Sequence, residues 1–558
     1  MSLTARVAGH LSGLALWLHD RPSVSRWLLP WMLVLFLLPL PLLKLDTSFA
    51  SLLGHGAPAA QAYQSFTERF GHDVYAIVTV SAPDVLAPET LAHLRDLHQA
   101  LEKAVPHVQQ VTSLFNAPRL YRRGDRTVIS GQLTPWPDSE PAWLSWQDEV
   151  LSSQRYRNVL VNPQRNFTLV ILQLKPSLGA GSAAVPMSTP GYAQVVDAMR
   201  PLLAQYQRDD FSLELTGEAA ADAAVQRAFV QELLVLGSLS LAMGLLLVWL
   251  LFRSAVAVVV PLVIIIMTLL GTLALMALAG QPLQLSSLIL PPLVVGLGVA
   301  DSMHVLNAWS RHREQGDALH EAFARGLAET ARPVVLTTVT TAIGLFSFML
   351  VGVQALSGFG LFAGLASLLA CVMTFVVTAV ILSRVSADAM VPPAFLGQRR
   401  LINRVASFCV ALTGRHGGKV ILLTLLLGLV SLYGVQRLKL SHDTLDWIPS
   451  SWTEIRGLEL IDHHFGSASS YELVVDSGVP GGVRSVAFVS VLADLARDLR
   501  HGDAAEVFSL AQSVQDYLAD ISRAMDGEVL DYRNYTNGDE LVWRDMRFFQ
   551  IGMPEAFA

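Results

Sequence analysis

The stretch LILPPLVVGLGVADSMHVLNAW, residues 288–309, is apolar apart from a few polar residues in its second half. Because roughly 20 helical residues cross a bilayer core about 30 Å thick, this stretch predicts a transmembrane helix. Asp301 and His304 lie inside it, three positions apart and therefore on one helix face. A carboxylate is costly to keep in the hydrocarbon region, and such residues usually face a bundle interior and act on protons or ions. This pair is therefore the strongest indication of function in the sequence.

The composition is that of a polytopic membrane protein. Of the 558 residues, 52% are hydrophobic and 15% are charged, whereas soluble globular proteins carry about 25% charged residues. The net charge of −7 and the lack of a basic run argue against a nucleic-acid partner. The two cysteines, Cys371 and Cys409, lie in or beside apolar segments, so no disulfide framework is expected in the polar regions.

Six further apolar runs are long enough to cross the membrane, and none has an ionisable residue well inside it. The seven predicted spans are residues 27–43, 233–252, 255–279, 285–309, 333–353, 358–382 and 420–435. The second to sixth spans form one bundle, residues 233–382. The remaining segments are an N-terminal segment 1–26, a polar block 44–232, a basic connector 383–419 and a second polar block 436–558.

The distribution of Lys and Arg predicts the orientation of the chain. The N-terminal segment contains Arg6, Arg21 and Arg26, and the connector contains six basic residues, whereas the short loops near Gln281 and Gln354 contain none. By the positive-inside rule, the N-terminus and the connector are cytoplasmic and both polar blocks lie outside.

The first polar block has a mixed pattern of strands and helices. Alternating or continuous apolar runs predict strands at residues 74–80, 108–114, 127–133 and 167–174, and helical periodicity predicts helices at 88–105 and 192–206. This order favours an α+β domain built from βαβ-type units on an antiparallel or mixed sheet.

An internal repeat relates the two polar blocks. KLDTSFASLLGHGAPAAQAYQSFTERFG (residues 44–71) matches KLSHDTLDWIPSSWTEIRGLELIDHHFG (residues 439–466) without a gap, and VTSL at 111–114 reappears as VFSL at 507–510. Because each copy follows a span, the repeating unit is one span, an outer domain and five spans, as in transporters built from parallel repeats. The second copy lacks its last five spans, so we expect a fragment, a natural truncation or one half of a split transporter.

These features together resemble the resistance–nodulation–division (RND) superfamily, and within it the hydrophobe-exporter branch related to the mycobacterial membrane protein large (MMPL) transporters. The resemblance covers nearly the whole chain. It rests on the one-plus-five span pattern, the post-span KLD…FG segment, GVADSMHVL (residues 298–306), RPVVLTTVTTAIGLFSF (332–348) and SGFGLFAGLASL (357–368). It implies a polytopic α-helical membrane protein with α+β, porter-like outer domains.

The resemblance also implies a function. It implies proton-motive-force-driven export of lipids or other hydrophobic molecules from the inner membrane of a bacterium, with both large domains periplasmic. Asp301 occupies the position of the acidic residue of the family's proton relay, and His304 lies beside it. His304 either relays the proton or orients Asp301 through a hydrogen bond. A lone Asp–His pair without a third ligand argues against a metal site.

Other polar and small residues in the spans have two interpretations each. Hydroxyls of the fifth span either support close packing and bond their own backbone or complete a proton path opposite Asp301. Prolines and glycines either break the fourth helix or only kink it, and elsewhere they allow close helix packing. The first group comprises Thr337, Thr338, Thr341 and also Asn307 of the fourth span, and the second comprises Pro291, Pro292, Gly296, Gly298, Gly344, Gly360 and Gly364.

Two functions remain open. The first is a proton-coupled exporter, a secondary active transporter and not an enzyme, because the sequence has no Walker A, GxSxG or HExxH motif and requires no cofactor. The second is a non-transporting or split half-transporter that acts as an assembly partner, a sensor or a protein-export auxiliary. The expected partners are a hydrophobic or lipid substrate, membrane lipids, and a separate chain that supplies the missing spans or a self-associated oligomer.

Overall fold

The chain divides into two compact units, one formed by Met1–Gln61 and Gln226–His442 and the other by Ala62–Val225 and Asp443–Ala558. We call them the membrane unit and, after the orientation predicted from the sequence, the outer unit. The computed structural model describes residues 3–46, 61–62, 65–66, 69, 74–123, 126–131, 133, 136–153, 156–157, 159–175, 177–178, 185–186, 189–384, 395–438, 452–466, 473–501 and 511–552. The first repeat copy falls mostly outside these ranges, as do residues 439–451 and 507–510 of the second.

Helices dominate the described chain. The helices of the first half are α1 (Leu3–His19), α2 (Pro22–Leu37), α3 (Pro88–Ala104), α4 (Glu140–Ser152), α5 (Thr189–Tyr206), α6 (Glu218–Phe252) and α7 (Ala255–Leu278). They are followed by α8 (Leu290–Glu314), α9 (Leu319–Phe346), α10 (Gln354–Leu382), α11 (Phe395–Val435), α12 (Thr453–Phe465), α13 (Val486–His501), α14 (Val514–Asp526) and α15 (Gly538–Gly552). The strands are β1 (Tyr75–Ser81), β2 (Val108–Thr112), β3 (Pro118–Arg123), β4 (Arg126–Gly131), β5 (Phe167–Leu174), β6 (Ser177–Leu178), β7 (Val185–Pro186) and β8 (Ser212–Thr216).

Seven helical segments of the described chain are long and apolar enough to cross a membrane. They are Pro22–Leu42, Glu218–Leu250, Ala255–Leu278, Leu285–Glu314, Leu319–Leu350, Ala355–Leu382 and Ala406–Val435. Each overlaps one predicted span, and the order is the predicted one. The fold class is therefore confirmed: the chain is a polytopic, multi-pass membrane protein with a small sheet domain.

Two of these helices begin well before the predicted spans. The fifth span was predicted to begin at Pro333, but α9 begins at Leu319 and continues through Pro333. A proline inside a membrane helix removes one backbone hydrogen bond, and neighbouring helices allow the helix to continue. The seventh span was predicted over residues 420–435, but α11 begins at Phe395 and is interrupted only at His416, where φ is −129° and ψ is 26°.

Within the membrane unit, α10 is the central helix. It contacts α1, α7, α8 and α9, and 72% of its most apolar window is buried, compared with none of the corresponding window of α11. The N-terminal helix α1 packs against α9 and α10, with Ala8, Ala15 and Leu18 buried. The fourth span, α8, contacts α7, α9 and α10, so the helix that carries Asp301 packs against three other helices.

The outer unit contains a four-stranded sheet with the order β2-β5-β1-β8. β1 is antiparallel to β5 and to β8, with Val78 opposite Val170 on one side and Leu215 on the other. β2 is antiparallel to β5, so β1, α3 and β2 form a βαβ unit split by β5. The predicted strands and helices of this block are confirmed. The elements β3, β6, β7, β8 and α4 were not predicted from the sequence.

The helix of the second repeat copy packs against this sheet. α12 contacts β8, and Ile461 and Phe465 are buried in the same apolar core as β1 and β5. Thr216 of β8 donates a hydrogen bond to the carbonyl of Glu454 (2.7 Å). A Cβ atom at Gly457 would lie 2.6 Å from the Cβ atom of Thr216, so the glycine permits the close approach.

A buried histidine makes the outer unit sensitive to acid. His98 of α3 is buried, and its Nδ1 is joined by a hydrogen bond to the hydroxyl of Ser113 (3.0 Å). Burial lowers the pKa of His98 below its ordinary value of 6.5. Because the unfolded chain then binds the proton more tightly than the folded chain, the stabilisation is complete above the ordinary pKa and is lost as the pH falls through the folded pKa.

We therefore expect the free energy of unfolding of the outer unit to fall as the pH drops below 6.5, the ordinary pKa of histidine, with His98 contributing up to about 1.4 kcal/mol per pH unit. Denaturant unfolding of the full chain at several pH values measures this slope. His98→Asn should reduce it, whereas the same substitution at the exposed His463 should not. Equal slopes in the wild type and in His98→Asn would contradict the assignment.

Candidate functional site

The fourth membrane-spanning segment is regular around Asp301. A short 3-10 helix, Leu285–Ile289, precedes α8, and Pro291 and Pro292 lie in the first turn of α8. At this position the missing proline N–H groups remove no hydrogen bond of the helix. The two prolines therefore begin α8 and do not break it beside Asp301, and α8 continues to Glu314.

Asp301 is buried inside the membrane unit. Only 6% of the surface of Asp301 is exposed, and its helix, α8, contacts α7, α9 and α10. Cys371 of α10 lies in the same apolar core as Val305 of α8 and Val335 of α9, close enough to Asp301 and to Thr338 of α9 for electrostatic coupling. Thr338 is itself buried and donates its hydroxyl to the carbonyl of Val334 (2.9 Å). Asp301, Thr338 and Cys371 therefore form the candidate site.

His304 does not join this cluster. Asp301 is buried but His304 is exposed, and Asn307, one turn further along α8, is also exposed. Among the residues that the structure describes, neither a hydrogen bond nor an ion pair joins His304 to Asp301. Three residues correspond to a rotation of about 300° around a helix, so the two side chains diverge by about 60°. The edge of the buried face passes between them.

The threonines of α9 lie on two different faces. Thr338 faces the bundle interior, Thr341 is half-buried and Thr337 is exposed. The hydroxyl of Thr337 donates to the carbonyls of Pro333 and Val334 in its own helix. Of these three residues, Thr338 alone is buried, and it lies near Cys371 in the candidate site.

The glycines also differ in their surroundings. A Cβ atom at Gly298 would lie 2.8 Å from Cγ1 of Ile265, and one at Gly360 would lie 2.6 Å from the Cβ atom of Phe348. A Cβ atom added at Gly364 would clash with the ring of Phe346. At Gly296 and Gly344, an added Cβ atom would meet no atom of the described residues within 4 Å. Close packing therefore involves Gly298, Gly360 and Gly364.

This difference predicts opposite effects of the same substitution. Gly360→Ala should destabilise the membrane unit by about 1–3 kcal/mol, the usual result of overpacking, because backbone and Cβ atoms lie in the way. Gly344→Ala has free space and should stabilise α9 by up to about 1 kcal/mol. Thermal unfolding of the full chain in lipid nanodiscs measures both. A melting temperature that does not fall in Gly360→Ala would refute the packing role.

Cys371 is the site residue whose proximity to Asp301 the sequence analysis did not predict. The spacing of Gly360, Gly364, Ser367 and Cys371 puts them on one face of the helix, but it does not identify the helix that covers that face. The proximity of Cys371 to Asp301 relates residues 70 positions apart in the sequence and depends on how α10 packs against α8.

Comparison with known proteins assigns most of the chain to a known family. The model of the MMPL family matches residues 51–410. A membrane protein of Methanocaldococcus jannaschii is 25% identical over 109 residues, which are 20% of this chain and 28% of that protein. The multidrug resistance protein MdtC of Escherichia coli is 27% identical over 162 residues, which are 28% of this chain and 16% of MdtC. Each matched stretch thus covers less than a third of the relative's length.

Proposed function

The chain belongs to the MMPL family, and on this premise we propose that it is an RND-type transporter of the bacterial inner membrane, driven by the proton-motive force. It exports lipids or other hydrophobic molecules, and Asp301 is its proton carrier. The observation that carries this proposal is the burial of Asp301 at a contact of membrane-spanning helices. An ionisable residue in that environment is costly to maintain and usually serves a proton or ion pathway.

The carboxyl group couples proton movement to helix packing. Asp301 accepts a proton from the periplasmic side and releases it to the cytoplasm. When the carboxyl is neutral, the free energy of burying it beside α9 and α10 is more favourable than when it is charged. The two protonation states therefore favour different packings of α8, and the outer unit, which the chain connects to these helices, can respond to the change.

The orientation and the substrate class rest on separate support. The basic residues of the N-terminus and of the connector favour a cytoplasmic location for both. The family, together with a relative named as a multidrug resistance protein, favours hydrophobic molecules as substrates.

A vesicle assay tests the proposal. The purified chain is reconstituted alone in lipid vesicles with an imposed pH gradient, and the transfer of a fluorescent lipid across the membrane is followed. We expect transfer that depends on the gradient and stops when a protonophore removes it. Transfer that is equally fast with and without the gradient would refute proton coupling.

A second candidate function is a half-transporter that works only with a partner, either a separate chain or a second copy. The observation that favours it is the outward position of His304 and Asn307 on α8, because polar side chains inside membrane spans usually face protein. If this function is correct, the vesicles become active only when a partner chain is present. Activity of the monomeric chain alone would exclude it.

A further inference from the structure

One face of α10 carries polar groups past the candidate site. Gly360, Gly364, Ser367, Cys371, Thr374 and Thr378 follow one another at spacings of four and three residues, so they lie on one face of the helix. The two glycines pack against the end of α9. The other four residues, which we call the polar face of α10, are all buried.

Two hydroxyls of the polar face have no hydrogen-bond partner in the part of the chain that the structure describes. Ser367 and Thr378 are 1% and 0% exposed, and among the described residues neither Oγ of Ser367 nor Oγ1 of Thr378 has a hydrogen-bond partner. Thr374, between them, donates to the carbonyl of Ala370 (2.9 Å). A buried hydroxyl without a partner is destabilising, and buried groups of this kind are commonly satisfied by internal water.

The polar face reaches Asp301 at its middle. Cys371, which lies between Ser367 and Thr374 on this face, shares an apolar core with Val305, one turn beyond Asp301 on α8, and is close enough to Asp301 for electrostatic coupling. From Cys371 to Thr378 the face extends about 10 Å along the helix axis, towards the C-terminal end of α10 at Leu382. This end precedes the basic connector.

We propose that internal water occupies the polar face of α10 and forms a hydrogen-bonded route for protons between Asp301 and the C-terminal end of α10, past Cys371, Thr374 and Thr378. The inference rests on the proposed role of Asp301 and adds the route by which its proton leaves. Each water accepts one proton and passes on another, so only a proton is transferred and the thiol stays intact.

Hydrogen–deuterium exchange of the Cys371 thiol tests the route without relying on transport. Cys409→Ser leaves Cys371 as the one cysteine of the chain, since the sequence contains 2. The full chain is placed in nanodiscs and transferred to D₂O, and infrared spectroscopy follows the conversion of S–H to S–D. We expect exchange to be at least about tenfold slower in Thr374→Val/Thr378→Val, which corresponds to roughly 1.4 kcal/mol in the barrier.

Thr337→Val is the matched control, because Thr337 is exposed and bonded to its own helix. Its exchange rate should equal that of the parent chain. If the double variant exchanges as fast as this control, or if Ser367→Ala alone slows the exchange, the proposed route is wrong. The melting temperature verifies folding, and valine should not lower it at Thr378, where it removes a hydroxyl that has no hydrogen-bond partner among the described residues.

Asp301→Asn separates this inference from the proposed function. The route does not require the carboxyl group, so the thiol should still exchange rapidly in this variant. If the thiol exchanges slowly in the parent chain and Asp301→Asn loses export, the proposed route is wrong but the proton-carrier role of Asp301 stands. If the thiol exchanges rapidly in the parent chain and Asp301→Asn exports normally, the proton-carrier role is wrong but the water route stands.

Discussion

Asp301→Asn should reduce gradient-driven export by about 100-fold or more, the usual contribution of a positioned proton-transfer group. Asparagine has nearly the same size and shape as aspartate, so α8 should pack as before against α9 and α10. The amide cannot take up and release a proton, so the pH gradient can no longer shift α8 between its two packings. Export of a fluorescent lipid from vesicles with an imposed pH gradient measures the effect.

The matched control for Asp301→Asn is Ser302→Ala. Ser302 is the next residue, is fully buried, and donates its hydroxyl to the carbonyl of Val299 (3.0 Å). This variant should retain export, because its side chain bonds only its own helix among the described residues. Undiminished, gradient-dependent export by Asp301→Asn would remove Asp301 from the mechanism. A loss in His304→Gln as large as that in Asp301→Asn would instead return His304 to the relay.

Phe465→Ala should destabilise the outer unit by about 3–5 kcal/mol, the range found when a buried aromatic side chain is truncated. Phe465 is the last residue of α12, is 8% exposed, and lies edge-on to the ring of Phe167 of β5 with the ring centroids 5.2 Å apart. Truncation leaves a cavity in the core that joins α12 to the sheet. α12 should therefore separate from β8 at lower denaturant concentration than in the wild type.

Limited proteolysis of the full chain, combined with denaturant unfolding, measures this effect. Cleavage in the segment that contains α12 should become faster in Phe465→Ala. Phe465→Leu should lie between this variant and the wild type, because it keeps most of the apolar volume. His463→Ala is the surface control, since His463 lies two residues earlier and is exposed. If Phe465→Ala and His463→Ala unfold at the same denaturant concentration, Phe465 is not part of the core.

The repeat signature in the sequence has a structural explanation in the second copy. Its closing Phe–Gly pair is Phe465 and Gly466. Phe465 anchors α12 in the core, and Gly466 ends the helix with a φ of 86°, a backbone conformation that favours glycine. The repeat is visible in the sequence, but its structural role is not, because identical residues in two segments do not identify the surface against which a helix packs.

Most of the predicted elements were recognisable from local patterns. The strand over residues 167–174 is a continuous apolar run, and it is β5 in the structure. The helix over residues 88–105 has leucines at helical spacing, and Leu91, Leu94, Leu97 and Leu101 are buried in α3. By contrast, β8 is a short strand of five residues, and its place beside β1 depends on pairing over a long sequence separation.

The sequence by itself determined the seven membrane-spanning segments and the presence of an acidic residue inside the fourth. These properties follow from transfer free energies that add along a contiguous run of residues, so they require no knowledge of neighbouring helices. Only the tertiary structure decided that Asp301 is buried while His304 is exposed, and that Cys371 and Thr338 lie beside Asp301. The physical reason is that helical periodicity defines the face of a helix, whereas the packing of distant segments determines which face is covered and by which residues.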